Sequence, residues 1–359
     1  MKPILLKFQL IVIGLVVLIM TTWAIYNIIH QNSEESVKKP SLRIMTYSSF
    51  MLPSGPGPIL KSDFESHCKC QVEFVDGGDS SLFIENIKYF PERKIDLVLG
   101  VSILHLKRAR EELKWKKMPW REDVQWEEVL EIPTFFMGEG EVDLLPFSWA
   151  PMTMIYRKGE ISPPASWQDL LKPEYRKTIT AQDPRYSLPG MHLVLWASKS
   201  GEESGLNNER MKALVHSLMT LSSNWSASYG LFRKKNALMT FSYVTSLVYH
   251  WVEEKDRSYQ AAIFSEGHPF EVELAGIPES CVNCLLAQKF AIQLVNRKWQ
   301  DVLMQKNYML PVVKGVRDGS EFSKVPSIPL LSMKGIQRFG SESKERIKQY
   351  VDHLKMHIQ

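Results

Sequence analysis

Short apolar runs alternate with amphipathic stretches along the first third of the chain. The runs at residues 42–47, 71–75 and 95–100 are apolar or alternate between apolar and polar positions, which predicts three strands. Residues 59–67 and 81–88 show helical spacing between these strands. A strand and a helix in regular alternation indicate an α/β fold with a doubly wound, mostly parallel sheet.

The same alternation continues further along the chain. Residues 144–156 are apolar and extended, and they are predicted to cross from one lobe to a second, with residues 263–274 leading back. Between the crossings, residues 179–184 and 237–243 predict strands, and residues 191–198 predict an apolar helix. The chain is therefore predicted to form two α/β lobes.

The two lobes can be assigned to segments of the chain. Lobe 1 is predicted to comprise residues 41–147 and 264–359, and lobe 2 residues 148–263. One amphipathic helix is predicted at residues 285–304 and a basic helix at residues 343–358, whose charges are expected to form a solvated face.

The N-terminus differs from the rest of the chain. Lys2 and Lys7 precede a nearly unbroken apolar run from residue 8 to residue 29, long enough to cross a bilayer. Residues 1–30 are interpreted as an uncleaved signal anchor, and residues 31–40 as a polar linker to a body outside the cytoplasm. A cleaved signal peptide is the alternative, although no small-x-small cleavage site follows the run.

Composition narrows the class of protein without naming it. The chain has 359 residues, of which 44% are hydrophobic and 23% charged, as in an ordinary globular protein. A net charge of +4 is small for this length and argues against nucleic acid as the main partner. The sequence contains no P-loop, no Rossmann glycine fingerprint and no zinc-binding Cys/His set, so no cofactor is predicted.

The four cysteines form two clusters, Cys68 with Cys70 and Cys281 with Cys284. An even number of cysteines in an exported chain predicts disulfides. The Cys-x-Cys spacing is expected to be too short for a relaxed bridge, so pairing between the clusters remains open. The Cys-x-x-Cys spacing also suits a redox motif, although the strand and helix that usually precede one are missing.

Aromatic residues are concentrated between residues 225 and 249. Trp225, Tyr229, Tyr243 and Tyr249 flank a predicted buried strand that ends at Thr245, a candidate N-cap for the next helix. A strand that delivers aromatics and hydroxyls to a helix start is a common way to build a ligand cleft in an α/β protein. Packing of these rings in the core is the alternative.

A second candidate feature is the helix start at Ser187. Unpaired N–H groups at a helix N-terminus attract anions and hydroxyl oxygens, and Ser187 adds a hydroxyl there. The alternative is that this serine simply caps the helix.

Several motifs together resemble one known family. They are the stretches Thr46-Tyr47-x-Ser49-Phe50, Gly55-Pro56-Gly57-Pro58, Gln182-Asp183-Pro184-Arg185-x-Ser187-x-Pro189-Gly190, Trp225-Ser226-x-x-Tyr229-Gly230-Leu231-Phe232, Ser242-Tyr243-x-Thr245-Ser246 and Phe264-Ser265-Glu266-Gly267-His268. Over residues 42–313 the chain resembles the periplasmic thiamine-binding proteins, the solute receptors of bacterial ABC importers.

The resemblance implies a two-lobed type II periplasmic binding protein fold, with ligand held in the interlobe cleft and passed to an ABC permease. It implies a location in the periplasm, tethered to the inner membrane if the anchor is retained. Thiamine or a thiamine phosphate is the implied ligand. The family's ligand contacts fall on Tyr47, Asp79, Ser187, Trp225, Tyr243, Tyr249 and Tyr308.

Each of these side chains has an expected role. Trp225, Tyr243 and Tyr249 are expected to surround the thiazolium ring, a permanent cation that aromatic faces attract. Asp79 is expected to accept from the pyrimidine amino group or to balance the ring charge.

Ser187 and the N–H groups beside it are expected to hold the hydroxyl or phosphate, while Tyr47 and Tyr308 line the pyrimidine. Two positions depart from the family pattern. Family members usually carry tryptophan where this chain has Ser54 and Tyr308. Each change is expected to weaken stacking on the ligand by about 0.5–1.5 kcal/mol.

Two other functions fit the same fold. A thiaminase I-like enzyme needs a nucleophilic cysteine aimed at the ligand, for which Cys68 and Cys70 are the candidates. A receptor for a metal or a polyamine needs an adjacent tyrosine pair or several carboxylates. Tyr243 and Tyr249 are not adjacent, and Asp79 is the one clear carboxylate, so a receptor for thiamine is preferred.

Overall fold

The computed structural model describes residues 14–26, 39–119, 141–198, 207–340, 348–352 and 354. The chain divides into two compact units, residues 1–40 and 41–359, and the second is called the body. In the first unit, residues 14–26 form an exposed helix, and the remainder of the predicted anchor lies outside the described residues. Across the described ranges, no helix has both the length and the apolar character needed to span a bilayer.

The strands of the body are short except for β6. In chain order they are β1 Ser41–Thr46, β2 Gln71–Asp76, β3 Leu97–Ser102, β4 Met118–Pro119, β5 Glu141–Val142, β6 Leu144–Arg157, β7 Ile179–Gln182, β8 Leu218–Ser222, β9 Met239–Tyr243, β10 Tyr259–Ala261, β11 Phe270–Gly276 and β12 Leu310–Pro311.

The α-helices of the body are α1 Ser48–Met51, α2 Gly57–Cys68, α3 Phe83–Tyr89, α4 Leu106–Glu112, α5 Leu188–Ala197, α6 Asn208–Ser217, α7 Trp225–Arg233, α8 Ser246–Tyr249, α9 Cys284–Gln293, α10 Arg297–Asn307 and α11 Met333–Gly340. Single 3₁₀ turns lie at Ser80–Leu82, Pro91–Arg93, Ile103–His105, Asp169–Leu171, Pro173–Tyr175 and Glu321–Lys324. After α8 the chain widens into a π-helix, His250–Glu254.

One mixed sheet runs through the body in the order β2-β1-β3-β11-β6-β9-β7-β8, with β10 and β12 also pairing with β6. Two sets of three strands are parallel, β1 with β2 and β3, and β7 with β8 and β9. Strands β6 and β11 pair antiparallel with their neighbours. The prediction of a mostly parallel sheet was wrong in this respect, because the two strands between the sets run against them.

Strand β6 joins the two parallel sets. Its first part pairs with β11, from Leu144 to Pro151, and its last part pairs with β9, from Met152 to Tyr156. Nearly all of its residues are buried, which agrees with the predicted apolar crossover at residues 144–156. A fully buried strand of this kind is expected in the middle of a sheet covered on both faces.

The predicted helix at residues 285–304 is two helices. Helix α9 ends at Gln293 and α10 begins at Arg297. The side chain of Asn296 accepts a hydrogen bond from the Lys298 N–H and caps α10. Because Asn favours a cap over a helix interior, the break falls at this residue although the amphipathic spacing continues across it.

The disulfides also differ from the expectation. Cys68 pairs with Cys70, with Cα atoms 5.2 Å apart, and Cys281 pairs with Cys284, with Cα atoms 5.3 Å apart. The first bridge forms because Lys69 adopts a left-handed conformation, φ 54°, at the end of α2. That turn brings the flanking cysteines together, so each bridge is local and none joins the two clusters.

Candidate ligand-binding site

The predicted site residues follow the carboxyl ends of the two parallel sets of strands. Tyr47 comes directly after β1, and Asp79 lies in the turn after β2. Ser187 and Trp225 lie at the helix starts after β7 and β8, and Tyr243 is the last residue of β9. Ligands of open α/β sheets bind outside these carboxyl ends, so the topology favours a common site.

Tyr47 belongs to a hydrogen-bond network that we call the Glu273 network, made of Tyr47, Ser148, Glu273 and Asn307. The Asn307 amide donates to the Tyr47 hydroxyl at 2.7 Å and to Glu273 Oε2 at 3.0 Å. The Ser148 hydroxyl donates to the same carboxylate oxygen. The network therefore joins the end of β1, strands β6 and β11, and the end of α10.

Gly100 lets the Tyr47 ring lie close to β3. A Cβ atom at Gly100 would stand 2.7 Å from the ring, and the residue has φ 101°, which side chains rarely adopt. The ring is also packed edge-on against Phe50, with centroids 5.7 Å apart. Tyr47 is thus held in place from two sides before its hydroxyl reaches the network.

A second carboxylate lies two residues from Glu273 on the same face of β11. Glu271 is buried, and it receives hydrogen bonds from the Ser102 hydroxyl at 2.7 Å and the Ile103 N–H at 3.2 Å. His192 Nε2, from α5, contacts the same carboxylate. Glu271 therefore links the end of β3 to a helix that follows β7.

Burial perturbs the ionisable groups around Glu273. Burial raises the pKa of Glu273 to about 7, its hydrogen bonds with Ser148 and Tyr47 oppose the rise, and the nearby charge of Glu271 adds to it. Burial also raises the pKa of Tyr47 and of Tyr243 well above the usual range, with the carboxylates adding to each shift. Both phenols are therefore protonated at neutral pH.

Four rings form a continuous ladder, which we call the ring stack: Trp225, Tyr229, His250 and Tyr259. Trp225 stacks on Tyr229 with ring centroids 4.7 Å apart, and Tyr229 lies parallel to His250 at 5.7 Å. His250 lies against Tyr259 at 3.4 Å. Trp225 is the outermost ring and is 37% exposed, which leaves one of its faces available.

Hydrogen bonds fix the orientation of the ring stack. The His250 Nδ1 atom lies 2.6 Å from the Glu254 carboxylate, which only accepts, so Nδ1 carries the hydrogen. His250 Nε2 then accepts from the Tyr229 hydroxyl at 2.8 Å. Burial lowers the pKa of His250, in agreement with a neutral ring. Trp225 Nε1 donates to the Ser242 hydroxyl at 2.9 Å, next to Tyr243.

Tyr249 and Tyr308 meet in space although they are far apart in the chain. Their ring centroids are 5.7 Å apart in an edge-on arrangement, and Tyr308 donates to Glu253 at 3.3 Å. The guanidinium of Arg233 lies over the Tyr249 ring at 5.4 Å. Tyr308 ends α10 with φ 52°, which turns its ring away from the helix axis towards the π-helix.

The structure links the predicted residues unequally. Tyr243 adds to the rise in the pKa of Tyr47, and Asp79 adds to the rise in the pKa of Tyr243; in both cases burial is the main cause. Asp79 also caps the turn after β2, because its carboxylate accepts from the Ser81 N–H at 3.0 Å. Ser187 is buried before α5, its side chain does not cap that helix, and it joins none of the contacts described above.

Several residues around the predicted ones were not themselves predicted, among them Glu273 and Asn307. Glu273 and Asn307 connect Tyr47 to the strand pair and to Tyr308. A signal for Glu273 was present, since Glu271 and Glu273 are two carboxylates at alternate positions of an otherwise apolar strand. Asn307 carries no comparable signal, because an asparagine near a helix end is common.

A metal site does not emerge from this geometry. Within the described ranges, no group of three or more His, Cys, Asp or Glu side chains is arranged to hold a metal ion.

This arrangement of fold and site defines a class of proteins, the bacterial extracellular solute-binding proteins. The family model with that description matches residues 124–328. A solved "Ferric binding protein from Campylobacter jejuni" shares the fold, with a TM-score of 0.68, 15% identity, and coverage of 88% of this chain and 99% of that one.

Closer relatives narrow the class. A "Thiamine-binding periplasmic protein" of Escherichia coli is 32% identical over 76% of this chain and 81% of its own length, and one of Haemophilus influenzae is 30% identical over 77% and 80%. A solved "Periplasmic thiamin binding protein" has a TM-score of 0.74 with 28% identity, covering 90% and 98%. The chain belongs to the family of periplasmic thiamine-binding proteins, which are solute-binding proteins and not enzymes.

Proposed function

We propose that this protein captures thiamine, or a thiamine phosphate, outside the cytoplasm and delivers it to an ABC permease. The observation that carries the proposal is that a ring stack ending in the exposed Trp225 and a carboxylate network both lie next to residues at the carboxyl ends of parallel strands. An aromatic face attracts a cation, and a carboxylate balances its charge. Thiamine combines a cationic ring with a flat pyrimidine that suits such walls.

The individual contacts are proposed as follows. Trp225, Tyr243 and Tyr249 surround the thiazolium ring, and Tyr47 and Tyr308 line the pyrimidine. The support is that Tyr249 and Tyr308 already touch and that Tyr47 shares Asn307 with the carboxylate. Asp79 is retained as a polar contact with one oxygen engaged in its turn.

Ser187 is proposed to hold the hydroxyl or phosphate of the ligand. Its hydroxyl does not cap α5, and the first N–H groups of a ten-residue helix lie beside it. Such a helix start favours an anion. A preference for thiamine phosphate over thiamine would support this placement.

The two lobes are proposed to be residues 41–147 with 264–359 and residues 148–263, closing on the ligand by hinge motion. This division would place the hinge where β6 changes its partner from β11 to β9. Small-angle scattering with and without thiamine tests it, because closure reduces the radius of gyration while a rigid body leaves it unchanged.

Residues 1–30 are proposed to remain attached as a signal anchor in the inner membrane. The support is the apolar run with its preceding lysines. Fractionation tests it: an anchored chain stays with the membrane after a high-salt wash, whereas a cleaved chain is released with the periplasmic contents.

The thiaminase-like alternative needs a free thiolate in the site. The structure pairs all four cysteines of the chain in the two local disulfides. Incubation with thiamine and a nucleophile gives the test, since release of free pyrimidine would contradict a binding function.

The decisive experiment measures ligand binding by calorimetry with the full chain. Thiamine, thiamine monophosphate and a thiamine analogue with a neutral thiophene in place of the thiazolium ring are compared. We expect both thiazolium compounds to bind and the thiophene analogue to bind at least about tenfold more weakly than thiamine, because it loses cation–π and charge attraction. Absence of binding heat with thiamine and its phosphate would overturn the proposal.

A further inference from the structure

Glu273 lies among the proposed ligand contacts. Its Oε2 atom receives hydrogen bonds from Ser148 and from Asn307, at 3.0 Å for the latter. The same Asn307 amide reaches the Tyr47 hydroxyl at 2.7 Å, and the next residue in the chain is Tyr308. The Asn307 amide therefore joins the carboxylate to Tyr47, one proposed pyrimidine contact, and Asn307 precedes Tyr308, the other, in the chain.

The donors to this carboxylate are all neutral. In the described ranges, the ion pairs of lysine and arginine involve other carboxylates, and none reaches Glu273 or Glu271. Glu271 has its own partners in His192, Ser102 and the Ile103 N–H. Glu273 thus has hydrogen bonds but no neighbouring cation of the protein itself.

The ionisable groups that face Glu273 come from several elements. They are Tyr47 after β1, Tyr243 at the end of β9, Glu271 on β11 with its partner His192 on α5, and Asp79 acting on Tyr243. The charge of Glu271 opposes a charge on Glu273, and the two phenols are protonated. The neighbourhood therefore favours a neutral carboxyl group until a positive charge arrives.

Asp79 is a weaker candidate for balancing a ligand charge. Its Oδ1 atom already accepts from the Ser81 N–H at 3.0 Å and caps the turn after β2. Glu273, by contrast, accepts its hydrogen bonds from the side chains of Ser148 and Asn307.

We infer that Glu273 is the counter-ion of the cationic ligand, and that a proton leaves its carboxyl group when a cation occupies the site. The inference rests on the proposed function. The O–H bond of the carboxyl group breaks, the proton passes to solvent, and the carboxylate then faces the positive ring, so charge and atoms balance. Uptake of one cation is in this way exchanged for release of one proton.

The inference predicts a pH dependence of affinity. Burial holds the pKa of Glu273 near about 7, so the ionised fraction rises from about a tenth at pH 6 to about nine tenths at pH 8. Affinity for a cation should then rise about tenfold over that interval. The neutral thiophene analogue should show no such rise.

The test is calorimetry of thiamine binding at about pH 6.5 in two buffers with different ionisation enthalpies. We expect an enthalpy that depends on the buffer, which reports proton release. Glu273→Gln should remove this dependence and the rise of affinity with pH. Glu112→Gln is the matched control, because Glu112 is paired with Arg108 and Lys88 and its pKa is lowered to about 2, so it stays ionised.

The outcomes separate the inference from the function. Thiamine binding with the same enthalpy in both buffers would overturn the inference and leave the proposed function standing. Proton release that persists in Glu273→Gln would also overturn it. Failure of thiamine and its phosphate to bind the wild-type chain would overturn both the proposed function and the inference about Glu273. If the variant does not fold, the wild-type comparison of thiamine with the neutral analogue decides, since only the cation should release a proton.

Discussion

The Glu273 network and the ring stack each include a residue proposed to contact the ligand, but the two are stabilised in different ways. In the ring stack, parallel rings are joined by hydrogen bonds that give the Tyr229 hydroxyl and both His250 ring nitrogens a partner. In the Glu273 network, a carboxyl group is held by neutral donors and stands next to a second carboxylate. The ring stack is a rigid surface, whereas the network holds an ionisable group whose charge depends on what is bound.

The difference suggests a division of labour in binding a cation. Aromatic faces attract a cation without changing their own charge, so the ring stack contributes to affinity at any pH. A buried carboxyl group contributes fully only after it ionises. Four predictions test this division, from the largest expected effect to the smallest.

The pair of His192 and Glu271 supports the network side, so its loss should have the largest effect. We expect His192→Leu to lower the free energy of unfolding by about 3–5 kcal/mol, because it leaves a buried carboxylate without its imidazole partner. Urea denaturation measures the loss. His216→Leu is the control, since that ring bonds to the Leu170 carbonyl and lies on α6. Equal losses in both variants would contradict a special role for the pair.

The two regions should respond to pH in opposite directions. The pKa of Glu273 is raised from 4.5 to about 7, so the folded state holds this proton more tightly than the unfolded state. Its contribution to stability is complete below about pH 4.5 and is lost as pH rises through about 7, by about 1–3 kcal/mol. The pKa of His250 is lowered, so its contribution is lost as pH falls below the usual histidine value.

Urea denaturation of the wild type and of Glu273→Gln at about pH 5 and about pH 8 measures how the contribution of Glu273 to the free energy of unfolding changes with pH. The variant should lose stability relative to the wild type at the lower pH and gain at the higher one. Parallel pH profiles for the two proteins would contradict the raised pKa.

Loss of the histidine in the ring stack should reduce stability less than loss of His192. We expect His250→Leu to lower the free energy of unfolding by about 2 kcal/mol, because the buried Tyr229 hydroxyl loses its acceptor. A double-mutant cycle with Tyr229→Phe isolates that contact. The two losses should be less than additive, by about 1 kcal/mol, and strict additivity would show that the hydrogen bond contributes nothing.

The outer ring should affect binding more than folding. Trp225→Ala is expected to weaken thiamine binding by about 1–2 kcal/mol, since one face of the indole is available to the cation. Calorimetry measures the change, and the unfolding transition should be retained. Tyr89→Ala, which removes an exposed ring outside the site, is the control. Unchanged affinity in Trp225→Ala would exclude the indole as a contact.

Much of the fold follows from hydrophobic spacing. The strands at residues 41–46, 71–76 and 97–102 and the crossover β6 lie close to their predicted positions, because buried strands are apolar whatever their partners are. Strand direction was less predictable. Whether a strand runs parallel or antiparallel depends on which strands become its neighbours, and the local spacing of apolar residues does not determine those neighbours.

The site shows the same limit. Trp225 at a helix start and Tyr243 at a strand end are aromatic residues whose positions a local signal indicates. The local disulfide at Cys68 depends on the left-handed backbone conformation of Lys69. Residues other than glycine adopt that conformation uncommonly, and sequence spacing does not indicate it. Glu273 acquires its properties only from Ser148 and Asn307, which lie on other elements.

Strand β6 has a consequence for fragments of this protein. Because it pairs with β11 along one part and with β9 along another, a chain cut within it leaves both partners with a row of unpaired backbone groups. Such open edges recruit strands from other molecules. A gene truncated near the middle is therefore expected to yield inclusion bodies rather than half a receptor, and proteolytic nicking should be tolerated only outside residues 144–157.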